Sequence, residues 1–225
     1  MDKVKVKVCG LRRREDIDYA NCIKPDLIGF VFAPSKRRVT PEQAEQLVQG
    51  LDSSIAVAGV FVDQPIAFIV DLLERGIIQY VQLHGDEDAA YIASLRETCG
   101  KKGIAAKLIK AVKVREAKDL AHVEEWDCEY LLLDAWQEEG EMAGGNGRSF
   151  DWNLVQAIGK PFFLAGGLTP TNVAQAIRMT KPFGVDASSC METDGFKDFD
   201  KMKTFVEGAR CTECGKDKKK EKTDE

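Results

Sequence analysis

Short apolar runs recur along the chain, and nearly every one is followed by a segment whose apolar residues stand three and four apart. Val4, Val6 and Val8 alternate with lysines, the period of extended chain, and predict a strand ending at Cys9-Gly10. Arg14 to Ile23 suits a helix with Ile17 and Ala20 on one face. Leu27 to Phe32 is near-continuously apolar, as in a strand covered on both sides. Thr40 is the expected N-cap of the next helix, with Pro41 at its first position and Ala44, Leu47, Val48 and Leu51 on its buried face. Ile55 to Val62 forms a third strand, and Pro65 opens a helix carrying Ile66, Ile69, Val70 and Leu73.

The alternation continues with a strand at Ile77 to Leu83 and a helix at Glu87 to Arg96, then a strand at Ala105 to Val112 and a helix bearing Ala117, Leu120 and Ala121. A sixth strand, Tyr130 to Leu133, ends on Asp134. A polar loop with glycines at 144, 145 and 147 follows, expected to move over a site, and then a helix at Phe150 to Ile158. Pro161 to Ala165 and Phe183 to Ala187 are the last two strands, separated by a helical pattern that Thr169-Pro170 opens. Phe199, Met202, Val206 and Ala209 mark a closing helix. Eight buried strands alternating with amphipathic helices mean a parallel sheet. An open doubly wound sheet shares that pattern, but eight units and no GxGxxG after the first strand favour an α/β fold closed into a single-domain (β/α)8 TIM barrel over residues 1–210.

Residues 211–225 differ in kind, with five lysines, five acids and no large apolar side chain, and are expected to be a disordered tail. Cys211-x-x-Cys214 is half of a zinc spacing, with no second pair to complete it. The net charge is −5 and the basic residues are dispersed, which gives no argument for nucleic acid or an anionic membrane. No apolar run approaches the roughly 20 residues of a membrane span, and the first residues lack the apolar core of a secretory signal. Seven cysteines scattered through strands and helices read as thiols of a reduced, cytoplasmic protein. Monomer and homodimer are equally compatible with the pattern.

In such a barrel the strand C-termini surround the active site. They carry Cys9, Arg37 just beyond the second strand, Asp63, His84, Asp134, and the small-residue turns Gly166-Gly167 and Ser188-Ser189. Two turns whose backbone N–H groups are unobstructed suit a phosphate, and the last two strands of a barrel are where one commonly binds. A thiol and a carboxyl can act as base and acid once their pKa values approach neutrality. Each residue also has a plain reading: Cys9 as a small buried hydrophobe, Asp134 as a turn cap, His84 as a structural imidazole, Arg37 as a solvated cation, Gly166-Gly167 as a tight turn. Taken jointly they suggest proton transfer on a sugar phosphate without metal or other cofactor, since neither metal-ligand spacing nor a dinucleotide fingerprint is present.

Eight stretches, in order and spread from residue 5 to residue 189, narrow the choice: KVKVCGL at 5–11, GFVFAPSKRRVT at 29–40, GVFVDQ at 59–64, VQLHGDE at 81–87, LLLDA at 131–135, GGNGRSFDW at 144–152, FFLAGGLTPTNV at 162–173 and GVDASS at 184–189. In these the sequence resembles the phosphoribosylanthranilate isomerases of tryptophan biosynthesis, over essentially residues 3–208. The resemblance implies a (β/α)8 barrel and a cofactor-free Amadori rearrangement of N-(5-phosphoribosyl)anthranilate. It further implies Cys9 as general base and Asp134 as general acid, with Arg37 on the anthranilate carboxylate and His84 beside the reacting groups. Gly166, Gly167, Ser188 and Ser189 would grip the phosphate. Two positions depart from the family pattern. Cys190 replaces the glycine that usually follows the serines, an expected handicap if that turn needs positive φ. Arg12 replaces a small polar residue, and would either lower the thiol pKa or point into solvent. The rivals are another sugar-phosphate isomerase or lyase on this fold, and a barrel that binds without turnover.

Overall fold

Eight strands pair in sequence order and the last closes on the first. They are β1 (Lys5–Cys9), β2 (Leu27–Val31), β3 (Ala56–Phe61), β4 (Tyr80–Leu83), β5 (Lys107–Val114), β6 (Tyr130–Ala135), β7 (Phe162–Leu164) and β8 (Gly184–Ala187). The barrel is parallel throughout, and at the closure Lys5, Val6, Lys7 and Val8 stand opposite Gly184, Val185, Asp186 and Ala187. The computed structural model describes residues 3–136 and 150–211. The glycine-rich loop expected over the site and the charged tail with Cys214 therefore lie outside the described residues.

Helices α1 (Arg14–Ile23), α2 (Pro41–Val48), α3 (Ile66–Glu74), α4 (Ala89–Lys101), α5 (Val173–Thr180) and α6 (Phe199–Arg210) cover the outside. Their apolar stripes and the outward half of the strands form one continuous layer, which includes Val6 and Val8 of β1, Ile17 and Ala20 of α1 and Val206 of α6. Because side chains alternate along a strand, Lys7 and Cys9 of β1 are left facing the barrel interior. At the N-terminal end of the strands an aromatic floor fills the barrel: Tyr130 packs on Tyr80, Phe163 and Phe183, at 4.5 Å between the Tyr130 and Phe183 ring centres. Gly184 makes that floor possible, since a Cβ there would stand 2.5 Å from the Phe163 ring.

Thr40 caps α2 as expected. Its hydroxyl accepts from the Gln43 N–H while the Gln43 side chain accepts from the Thr40 N–H, a reciprocal box that satisfies two otherwise orphaned donors. Thr40→Ala is expected to lower stability by about 1 kcal/mol, read as a shift of the urea midpoint at constant slope.

Two expected helices are not α-helical. The segment after β5 forms 3-10 turns at Ala117–Leu120 and Val123–Glu125, and the one after β6 a 3-10 stretch at Trp152–Ala157. Of the two turns after β5 only Val123 is buried, so the apolar face is too small to hold a longer helix on the sheet. Asp119 accepts from the Arg115 and Glu116 N–H groups and Asp151 from that of Asn153, local bonds that favour tight turns. The helix opened by Thr169-Pro170 begins only at Val173. Thr169 and Asn172 first bond reciprocally through side chain and backbone, which makes a turn of residues 169–172. Among the described residues no helix is long and apolar enough to cross a membrane.

After β8 a 3-10 turn at Ser189–Met191 leads into a short hairpin, β9 (Glu192–Thr193) paired antiparallel with β10 (Phe196–Lys197). This hairpin was absent from the expected pattern, and it lies at the rim of the barrel mouth.

Candidate active site

Cys9 is the last residue of β1 and is 8% exposed. Its neighbour across the sheet is Gly29, where a Cβ would come within 2.8 Å of the thiol sulfur and 3.2 Å of the Cys9 Cα. Gly29 thus supplies the space in which the thiol sits. Gly29→Ala is expected to displace the thiol and cut kcat by about tenfold or more, since small misplacements of a reacting group are costly; an unchanged kcat would show that the space is not needed. Burial pushes the Cys9 thiol up, and the nearby ammonium groups of Lys7 and Lys197 oppose that rise. Lys7 lies two residues before it, fully buried, with its Nζ donating to Asp186 Oδ1 at 2.9 Å.

Asp134 closes the other side of the mouth from the end of β6. Burial, and then the carboxylate of Asp186, push its carboxyl up to about 6. His84, just past β4, approaches it with Nε2 at 3.6 Å from Oδ2, beyond hydrogen-bond reach. Burial and the ammonium groups of Lys7, Lys113 and Lys110 hold the imidazole down to about 4, so at neutral pH it is uncharged. This pair is therefore no ion pair. With the Gln82 amide nitrogen 3.0 Å from Nδ1, the His84 proton belongs on Nε2, the side that faces Asp134.

The solvated reading of Arg37 does not hold. Its side chain is 11% exposed, and Nε and Nη2 donate to the two carboxylate oxygens of Glu192 at 2.6 and 2.8 Å. Lys197 Nζ donates to the same carboxylate at 2.9 Å and to the Ser188 carbonyl at 2.9 Å, so the hairpin is tied to both Arg37 and the turn after β8. Arg12 matches neither expectation. Its guanidinium donates to the Lys36 and Gly195 carbonyls and lies 4.5 Å over the Phe196 ring. That makes it a fastener for the hairpin, and the leading charges on the thiol are those of Lys7, Asp186 and Lys197.

The turns after β7 and β8 sit side by side, as the pairing of Leu164 with Val185 requires. Gly166 and Gly167 both have positive φ, +74° and +66°, and a Cβ on Gly166 would stand 2.2 Å from the Ala135 nitrogen. Only glycine fits there. Their N–H groups donate to no other described residue. Ser188 Oγ donates to the Cys9 carbonyl at 2.9 Å, which ties this turn to the end of β1. Cys190 lies inside the 3-10 turn and is not among the residues with positive φ. The handicap expected from losing glycine at that position therefore does not arise.

The fold thus brings Cys9, His84, Asp134, Arg37 and both small-residue turns to one mouth. It adds Lys7, Asp186, Glu192, Lys197 and Gly29, none of which stood out beforehand, although an acid within the apolar strand GVDA was a signal available to reading. Among the described residues no group of three or more His, Cys, Asp or Glu could hold a metal ion.

A closed parallel barrel with a thiol and an elevated carboxyl at its strand C-termini, beside twin glycine and serine turns, belongs to the class of (β/α)8-barrel acid–base enzymes. The family model described as N-(5'phosphoribosyl)anthranilate (PRA) isomerase matches residues 6–208. The N-(5'-phosphoribosyl)anthranilate isomerase of Caldanaerobacter subterraneus subsp. tengcongensis is 42% identical over 92% of this chain and 98% of its own. The crystal structure of phosphoribosyl anthranilate isomerase from Thermotoga maritima superposes with a TM-score of 0.79 at 34% identity, over 92% of this chain and 98% of that one. A phosphoribosyl anthranilate isomerase solved with reduced 1-(o-carboxyphenylamino)-1-deoxyribulose 5-phosphate matches at TM-score 0.75 and 33% identity, with the same coverage. The chain belongs to the N-(5'-phosphoribosyl)anthranilate isomerase family.

Proposed function

We propose that this chain catalyses the isomerisation of N-(5'-phosphoribosyl)anthranilate in tryptophan biosynthesis, with Asp134 as general acid and Cys9 as general base. Asp134 gives its proton to the furanose ring oxygen, the bond from that oxygen to C1 breaks, and an iminium forms between C1 and the anthranilate nitrogen. The iminium acidifies C2, whose proton passes to the Cys9 thiolate and leaves an enolamine. The C2 hydroxyl then loses its proton while C1 gains one, and the ketone results. Each turnover moves one proton from Asp134 to Cys9, which must be returned before the next.

The observation that carries this reading is Asp134, a carboxyl raised to about 6 in the same barrel mouth as a buried thiol. A carboxyl of that pKa is still partly protonated near neutrality, as a ring-opening acid must be. Gly166, Gly167, Ser188 and Ser189 supply the phosphate grip through main-chain donors that need little reorganisation. Arg37, held flat by Glu192, presents its remaining N–H groups to the anthranilate carboxylate. His84 stays neutral and donates from Nε2 at the acid's side of the site.

The test is the disappearance of freshly generated phosphoribosylanthranilate, followed by its fluorescence with purified protein. Turnover supports the proposal. A folded protein that binds a phosphorylated substrate analogue yet turns nothing over would leave a binding barrel instead.

A further inference from the structure

The mechanism above requires two groups to hold opposite protonation states at once, the thiol ionised and the carboxyl protonated. Burial pushes the thiol the other way, and the carboxyl, though raised, remains the more acidic of the two. Burial raises the Cys9 thiol above its ordinary 9.0, while Asp134 lies at about 6. Most molecules at neutral pH therefore carry the unproductive pair, a thiol and a carboxylate. The productive form is a minority whose share falls tenfold for each pKa unit that separates the two groups.

One feature of the barrel interior acts on that gap. Lys7 and Asp186 stand opposite each other in the β1–β8 pairing, joined at 2.9 Å, with side-chain exposures of 0% and 10%. The pair lies one layer below the catalytic groups. Lys7 is two residues from Cys9 on the same inward face of β1, and Asp186 projects from β8, two strands from Asp134 on β6. A buried ion pair of this kind is seldom explained by stability, because desolvation cancels most of its attraction.

Resting on the acid and base assigned above, we propose that the buried Lys7–Asp186 pair is a positioning device that enlarges the minority form in which Cys9 is a thiolate and Asp134 is protonated. At the thiol, Lys7 is the leading influence against burial, ahead of the opposing one from Asp186. At Asp134 the order reverses, with Asp186 ahead of Lys7. The positive member of the pair thus favours the thiolate, and its negative member favours the protonated carboxyl. The other charged groups about Cys9 are Lys197 on β10 and Arg37 beyond β2, the latter neutralised by Glu192. Those about Asp134 are Lys113 on β5 and the uncharged His84 beyond β4.

The test compares Lys7→Met, Lys7→Arg and Asp186→Asn with the wild type, each first confirmed folded by its thermal transition. Two readouts are taken: the pH dependence of Cys9 alkylation by iodoacetamide, which needs no substrate, and the pH profile of kcat/KM. In Lys7→Met the alkylation curve is expected to move to higher pH and the kcat/KM plateau to fall by about tenfold or more, while Lys7→Arg recovers much of both. In Asp186→Asn the acid limb of kcat/KM is expected to move to lower pH. An alkylation curve unmoved in folded Lys7→Met overturns the proposal, as does a rate loss in Asp186→Asn with the acid limb in place. Should Lys7→Met not fold, Asp186→Asn decides through its acid limb. Activity absent in the wild type with the Lys7→Met alkylation shift present would instead reject the isomerase reading and leave the thiol device standing.

Discussion

Asp134→Asn is expected to lower kcat by about 10²–10⁴-fold with little change in KM, the range over which a positioned proton donor contributes. Asparagine keeps the size and the backbone bonds of this position but carries no proton acidic enough to open the furanose. The effect should fall on the chemical step alone, since the phosphate turns and Arg37 are formed by other strands. Single-turnover kinetics with phosphoribosylanthranilate provide the check, and a variant that opens the ring at the wild-type rate would remove Asp134 from the mechanism. His84, neutral because burial holds its pKa to about 4, cannot stand in for the lost acid at pH 7.

Cys9→Ala is expected to produce a loss of similar size, and the pH profile of the wild type should show why. With Asp134 at about 6 and the thiol above 9, kcat/KM should rise as pH passes 6, run level, and fall only as pH passes the thiol value. The signs follow from the populations. Below pH 6 both groups are protonated and thiolate is scarce. Between the two values the minority with thiolate and acid keeps a constant share, because each further loss of acid is matched by a gain of thiolate. Above the thiol value the acid alone keeps draining away. A profile that instead falls through pH 6 would mean that the base has the lower pKa, and Cys9 would lose its role. Cys9→Ala should show no limb at the thiol value, whatever residual rate it retains.

The barrel was legible because its evidence is periodic. Eight strands covered on both sides and the α-helices that flank them leave apolar spacings that survive without any partner in view, and the Thr40 cap reads from three residues. The two 3-10 connections did not read correctly, because Ala117, Leu120 and Ala121 mimic helical spacing while the buried area that would stabilise a helix is missing. At the site, Cys9 and Asp134 were visible as polar residues at strand ends. Their supporting groups were less so. The lysines of β1 alternate with valine as in any half-exposed strand, and only barrel closure reveals that Lys7 is sealed inside opposite Asp186. Arg37 sits in a run of three cations that looks solvated, and its partner Glu192 lies 155 positions away, a separation at which no local pattern operates.

The closing register of β1 against β8 also bears on synthesis. A ribosome delivers the strand that ends in Cys9 first and the strand that completes the barrel almost last, so the nascent chain must hold β1 with one open edge for nearly the whole of translation. An unpaired edge recruits other chains, and charged side chains along it are a common protection. Lys5 and Lys7 can serve that purpose while the edge is open, before Lys7 passes into the interior. Catalytic competence then arrives in one late event, since the docking of β8 seals the edge, pairs Lys7 with Asp186 and brings the serine turn onto the Cys9 carbonyl together.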